Sequence, residues 1–97
     1  MIRQTVMYPA GDVDGAPATF DHDYYRDVHV PMCTEAFNCT AEVDKGLDGP
    51  NIAAVHFFFE TMEALQAAFA SPKLGDIMSD IANYTNTAPV MQTSEIV

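Results

Sequence analysis

The chain alternates between stretches with strand spacing and stretches with helix spacing. Ile2–Tyr8 is rich in β-branched and aromatic residues and is closed by Pro9, which predicts a first strand. Gly11–Ala18 holds two Gly, a Pro and two Asp, the composition of a loop. A helix is expected from Asp21, which can cap it, with Phe20 packing back on the first turn and Asp23 at its positive end. Its apolar face is expected along Tyr24, Val28 and Met32, with Tyr25 and His29 as the adjacent row at the edge. Pro31 cannot donate to the Asp27 carbonyl, and Glu35 would fall on the apolar face of a straight helix. An end or kink is therefore expected around His29–Pro31.

Cys39–Lys45 reads as a moderately polar strand and residues 46–50 as a turn. Asn51–Glu60 is the strongest strand of all. Its two alternating sets, Ile52/Ala54/His56/Phe58 and Ala53/Val55/Phe57/Phe59, are both apolar, so both faces are expected to be covered. Thr61 caps a second helix with the inner stripe Met62, Leu65, Ala68 and Phe69. Ser71-Pro72 restarts it, and Leu74, Ile77, Met78 and Ile81 carry the stripe onward. Asn83–Ala88 is a loop, and Pro89–Val97 is a last strand at an edge, since its proline lacks a donor. The order β-α-β-β-α-β is the ferredoxin-like α+β pattern: one antiparallel sheet with helices on one face. Three consecutive phenylalanines, Phe57–Phe59, cannot all face those helices. Exposing one gives up about 1.5–3 kcal/mol, so a homodimer laid sheet to sheet is expected.

Ninety-seven residues suit a single domain, 1–97, and 48% hydrophobic against 19% charged residues makes it globular. Fourteen acids against four bases give a net charge of −10, which argues against nucleic acid and anionic membrane surfaces as partners. Cys33 and Cys39 are spaced C-x5-C, which fits no usual zinc pattern, and the three histidines lie on separate elements, so no metal is expected. No phosphate cradle or dinucleotide fingerprint appears, so no cofactor is expected either. The start of the chain lacks the basic and apolar segments of a signal peptide, so a cytoplasmic location is expected.

The run Phe20-Asp21, Tyr24-Tyr25 and His29-Val30-Pro31 resembles the signature of the EthD family, named for ethyl tert-butyl ether degradation. Asp44-Lys45-Gly46, Phe59 with Glu63-Ala64 and Ala67-Ala68-Phe69, residues 80–86 (Asp-Ile-Ala-Asn-Tyr-Thr-Asn), and Pro89-Val90-Met91-Gln92 are also similar to family segments. The resemblance implies a dimeric α+β barrel and a part in breaking down small organic molecules, with an oxygenase as the implied pathway partner. Its reaction would be of oxidoreductase type. A lactone isomerase or cyclase, or a binding protein without chemistry, are the alternatives.

His29 is the first candidate for chemistry, since an imidazole moves protons near neutral pH. Its bland alternative is to donate to a backbone carbonyl freed by Pro31. Tyr25 shares its row and is the candidate orienting donor; Tyr24 either packs in the core or contacts the ligand. Met32 is a candidate lining residue. His56 either lines a pocket or is a satisfied interface histidine, and Tyr84 with Asn83 either closes one end of a pocket or serves packing and turn formation.

Overall fold

Two capping side chains start the two main helical layers. Asp21 accepts from the Tyr24 N–H at 3.0 Å, and Thr61 accepts from the Ala64 N–H at 3.1 Å. The computed structural model describes all 97 residues, Met1–Val97. In chain order it has β1 (Ile2–Pro9), a minor hairpin of β2 (Asp12–Val13) and β3 (Ala16–Pro17), α1 (His22–Tyr24), a π-helical turn (Tyr25–His29) and α2 (Val30–Phe37). Then follow β4 (Thr40–Lys45), β5 (Asn51–Phe59), α3 (Met62–Phe69), α4 (Leu74–Asp80), a 3₁₀ turn (Ile81–Asn83) and β6 (Val90–Glu95). The four long strands form one antiparallel sheet in the order β4-β5-β1-β6, so the fold is ferredoxin-like α+β and β6 lies at an edge, as the proline before it requires.

The loop expected over residues 11–18 contains a hairpin. Asp14 and Gly15 both have positive φ, 51° and 83°, the pair that a tight two-residue hairpin turn demands. The Asp-Gly dipeptide was the signal.

The first helix departs from expectation more instructively. It neither ends nor breaks at Pro31. Instead the turn before the proline widens: the Val30 N–H bonds to the Tyr25 carbonyl, five residues back. Wound this way, the chain passes the missing Pro31 donor and continues to Phe37, where Asn38 closes it in the left-handed conformation. The buried row is Tyr25, His29, Cys33 and Phe37, together with Val30, rather than Tyr24, Val28 and Met32. Val28 is 41% exposed, and Glu35 points to solvent without conflict.

Strand alternation divides the sheet cleanly. Ala53, Val55, Phe57 and Phe59 of β5 join Val6 and Tyr8 of β1 in the core under the helices, with Leu65, Ala68 and Ile77 above them. Phe57 and Phe59, each under 5% exposed, contribute about 1.5–3 kcal/mol apiece by burial. Phe58 falls on the other face, where the Arg3 guanidinium lies 5.7 Å from its ring centre. That outer face is more mixed than β5 alone suggested. Ile52, Phe58, Met7 and Val90 share it with Arg3, Thr5, Glu42, Asp44 and Gln92, because the strands flanking β5 put polar residues at the paired positions.

Candidate functional site

The widened turn places Tyr25 and His29 inward, their rings stacked at 5.4 Å and 16°. His29 is 4% exposed. A buried imidazole needs partners, and it has one on each side. Its Nδ1 lies 2.9 Å from Asp80 Oδ2, at the end of α4, and its Nε2 lies 3.3 Å from the hydroxyl of Tyr84. The backbone-carbonyl alternative for His29 is therefore not what the structure contains.

Asp80 is the organising residue. The Tyr24 hydroxyl donates to its Oδ1 at 2.7 Å and the Asn83 amide to the same atom at 2.9 Å. Burial works against its charge, but the three hydrogen bonds from Tyr24, Asn83 and His29 outweigh it and hold its carboxyl below the usual aspartate range. Asp80 is thus an acceptor at neutral pH, so His29 Nδ1–H donates to it and Nε2 keeps its lone pair. For His29 itself burial is the larger influence and lowers the pKa, against the opposing pull of Asp80. The imidazole is neutral and basic at Nε2.

On the Nε2 side stands a cluster of rings. Tyr84 touches Tyr8 hydroxyl to hydroxyl at 2.7 Å, and Tyr25, Phe20 and Tyr84 pack around Tyr8 with ring centres 5.1–5.7 Å away. Burial, first of all, pushes the phenols of Tyr8, Tyr25 and Tyr84 upward, so all three keep their protons. Below them opens an apolar cavity lined by Tyr8, Tyr25, His29, Phe57, Ile77 and Met91, among others. It is tight, about 40 Å³. Met78 and Met91, 47% and 46% exposed, belong to its wall, which is thus formed in part by unbranched, adaptable side chains. Cys33 also lines it, but burial, ahead of Cys39 and Asp80, pushes that thiol up to about 12, so it is no nucleophile at neutral pH.

Of the residues singled out from sequence, His29 and Tyr25 line this cavity, while Tyr84 is not on its wall but touches His29 Nε2 and borders, with Asn83, a separate open groove. Tyr24 packs half-buried against the core, its hydroxyl taking Asp80 as partner, and is not on the cavity wall. Two candidates lie elsewhere. His56 is on the outer sheet face, since Val55 and Phe57 take the inward positions on either side of it. There its Nε2–H donates to Asp44 at 2.9 Å and the Thr5 hydroxyl donates to its Nδ1 at 2.9 Å. Met32 borders a separate shallow groove with Glu35, Lys73 and Asp76, because the buried row passes one position over. Asp80 and Tyr8 were not foreseen. The available signal for Asp80 was its place three residues after Ile77 and next to Ile81, a carboxylate on an otherwise apolar stripe. No three His, Cys, Asp or Glu side chains converge as metal ligands.

No family model and no curated protein matches the chain. Solved structures do. An EthD-like protein from Ralstonia eutropha JMP134 is 40% identical, with a TM-score of 0.84 over 99% of this chain and 91% of its own. The chain belongs to the EthD family. A second member, from Bacillus halodurans C-125, superposes at TM-score 0.76 over 100% of this EthD chain and 99% of its own, at 14% identity. A Deinococcus radiodurans protein named as a candidate antibiotic biosynthesis monooxygenase shares the fold, with TM-score 0.67, 12% identity and coverage of 100% and 93%. No helix of this EthD chain is long and apolar enough to cross a membrane.

Proposed function

We propose that this protein is a small catabolic enzyme in which His29 moves a proton on a small, apolar, oxygen-bearing organic compound, in a step of oxidoreductase type. The observation that carries the reading is the buried Asp80–His29 pair at the wall of an apolar cavity. Asp80 fixes the tautomer, stabilises the imidazolium when it forms, and leaves Nε2 as the base. Low exposure makes each of these interactions stronger than it would be in water. Proton removal leaves an electron-rich anion in the cavity, and dioxygen is the oxidant that such an anion can reduce directly. Tyr25, stacked on His29 and still protonated, is the orienting donor. The family's naming after ether degradation supports small organic compounds as the substrate class.

The active form we infer is a homodimer in the cytoplasm, sheet against sheet, with the half-exposed Ile52, Phe58 and Met7 and the exposed Val90 of the outer face enclosed between subunits. Light scattering at micromolar concentration should give twice the chain mass; a monomer would contradict this part. The chemistry is tested with an oxygen electrode and substrate-loss assays over a panel of small phenols, enones and ethers. His29→Asn should lower turnover by about 10²–10⁴-fold while the oligomer persists. Undiminished turnover in that variant would remove His29 from its role. Turnover without oxygen uptake would assign the same histidine to an isomerisation instead.

A further inference from the structure

Every tyrosine of the chain meets at Tyr84. The sequence has four tyrosines and no tryptophan, so its most easily oxidised rings stand in one group. The Tyr84 ring centre lies 5.7 Å from Tyr8, 4.9 Å from Tyr25 and 6.3 Å from Tyr24. Phenylalanine would pack as well; the four rings differ in what their hydroxyls meet. Tyr25 is paired with Tyr8, and Tyr8 with Tyr84, so those oxygens meet only other phenols. Tyr24 donates to Asp80, a carboxylate held below the usual range and therefore a weak base. Tyr84 alone meets an imidazole, His29 Nε2, at 3.3 Å. Since His29 gives its Nδ1 proton to Asp80, Nε2 is bare, and Tyr84 donates to it while accepting from Tyr8 at 2.7 Å. No buried polar side-chain atom lacks a partner, so the row is complete without a ligand.

We propose that Tyr84 is a redox-active tyrosine, which gives one electron to an oxidant of the organic oxyl or peroxyl radical class and its proton to His29 Nε2. This rests on the basic Nε2 of the proton-transfer reading above. An organic anion reduces dioxygen one electron at a time, so radicals of this class arise in the proposed step. Loss of a proton alone is opposed here, since burial disfavours a phenolate. Loss of an electron is different. It turns the phenol into a strong acid, which passes its proton along the hydrogen bond already in place. One O–H bond breaks and one N–H bond forms. Tyr84 becomes a neutral phenoxyl radical and His29 an imidazolium against the Asp80 carboxylate. The oxidant is reduced to its alkoxide or hydroperoxide anion, which takes a proton from water. The buried row thereby passes from a lone carboxylate charge to an ion pair, and a pair is less costly to bury than a single charge. Tyr84 also borders the open groove of Thr19, Phe20, Asp21 and Asn83. The electron therefore has a short way out, while the residue itself, 3% exposed, is shielded from solvent.

The probe is flash-generated tris(bipyridine)ruthenium(III), a cationic one-electron oxidant chosen because a net charge of −10 repels anionic ones. Tyrosyl radical is followed by transient absorption and electron paramagnetic resonance in the unaltered protein. Free N-acetyltyrosinamide loses its proton to water or buffer, and its oxidation quickens steadily as pH rises. Oxidation of the protein should instead change by less than about twofold between about pH 7 and 9, because His29 takes the proton, and should slow only below about pH 6.5 as Nε2 fills. Tyr84→Phe keeps the ring packing and should lower the radical yield at neutral pH at least about tenfold, while Tyr24→Phe leaves it within about twofold. A rate that climbs steadily with pH, as for the free amide, or an undiminished yield in Tyr84→Phe would each overturn the inference. The pH series uses the unaltered protein and needs no variant to fold. Failure here is distinguishable from failure of the function. A Tyr84 radical in a protein that consumes nothing in the oxygen-electrode panel keeps this inference and removes the enzyme; turnover of a panel compound by a protein whose Tyr84 yields no radical does the reverse.

Discussion

The protein contains the same three-part arrangement twice, on opposite faces of one sheet. On the inner face Asp80, His29 and Tyr84 form a carboxylate–imidazole–hydroxyl row. On the outer face Asp44, His56 and Thr5 form another, with both contacts at 2.9 Å. Contact lengths alone would rank the outer row first. The surroundings reverse that order. The inner pair has side-chain exposures of 4% and 10%, against 26% and 60% for His56 and Asp44. The tautomers also differ: His29 gives its Nδ1 proton to the carboxylate and turns Nε2 toward the phenols, while His56 gives its Nε2 proton to Asp44 and turns Nδ1 to a threonine. Only the inner row faces an apolar cavity and rings that hold their protons. A row of this kind becomes a site through the cavity it faces, and the outer row, on the face that the inferred homodimer covers, is better understood as cross-strand ties between β4, β5 and β1.

The comparison breaks most visibly on activity. His29→Asn should cost about 10²–10⁴-fold in turnover of any compound the oxygen-electrode panel identifies, while His56→Asn in the same assay should stay within about threefold. Equal losses would merge the two rows. Stability comes next. Asp80→Ala leaves the Tyr24 hydroxyl, the Asn83 amide and His29 Nδ1–H without their common acceptor in a buried setting, and should cost about 3 kcal/mol in urea denaturation. Asp44→Ala, in a pair with an exposed carboxylate, should cost no more than about 1 kcal/mol.

The sequence disclosed the frame of this comparison better than its chemistry. Caps at Asp21 and Thr61, the alternation in β5 and the stripe on α4 are local signals, and the element order follows from them. His29 and Tyr25 were also legible, because Tyr and His at helix spacing before a proline are uncommon in a core, and Tyr84 was legible from its place just before the last strand. Asp80 and Tyr8 were not, since their roles arise from contacts spanning 51 and 76 residues of chain. The π-helical turn was hidden for another reason. Pro31 announces a disturbed helix, but whether the chain breaks or widens depends on what gains burial on the inner side, here the Tyr25–His29–Cys33–Phe37 row. His56 was ambiguous because β5 is apolar on both sides, and only register told the faces apart.

A smaller effect sharpens the inner row through pH. Burial lowers the folded pKa of His29 below its unfolded value of about 6.5, so on acidification the unfolded chain takes up this proton first. Stability from this group is complete above the unfolded value and is lost as pH falls through it toward the folded one. Melting temperature should therefore decline below about pH 6.5, and His29→Asn should flatten that segment of the curve. Asp80 adds a separate loss at lower pH, below the ordinary aspartate value, because its folded pKa is depressed. A melting curve that rises on acidification through this range would contradict the burial argument. Smallest of all, Cys33 and Cys39, pushed up to about 12 and about 11 by burial, should resist iodoacetamide at neutral pH in the folded protein and react on unfolding.

Nitrogen-15 NMR of the histidine side chains near pH 7 tests the core of this account directly. For His29 it should find the proton on Nδ1, bonded to Asp80, with Nε2 unprotonated, and Asp80→Asn should disturb that resonance without moving His56. A His29 that carries its proton on Nε2, or that is already an imidazolium at that pH, would leave the cavity without a base and contradict the account.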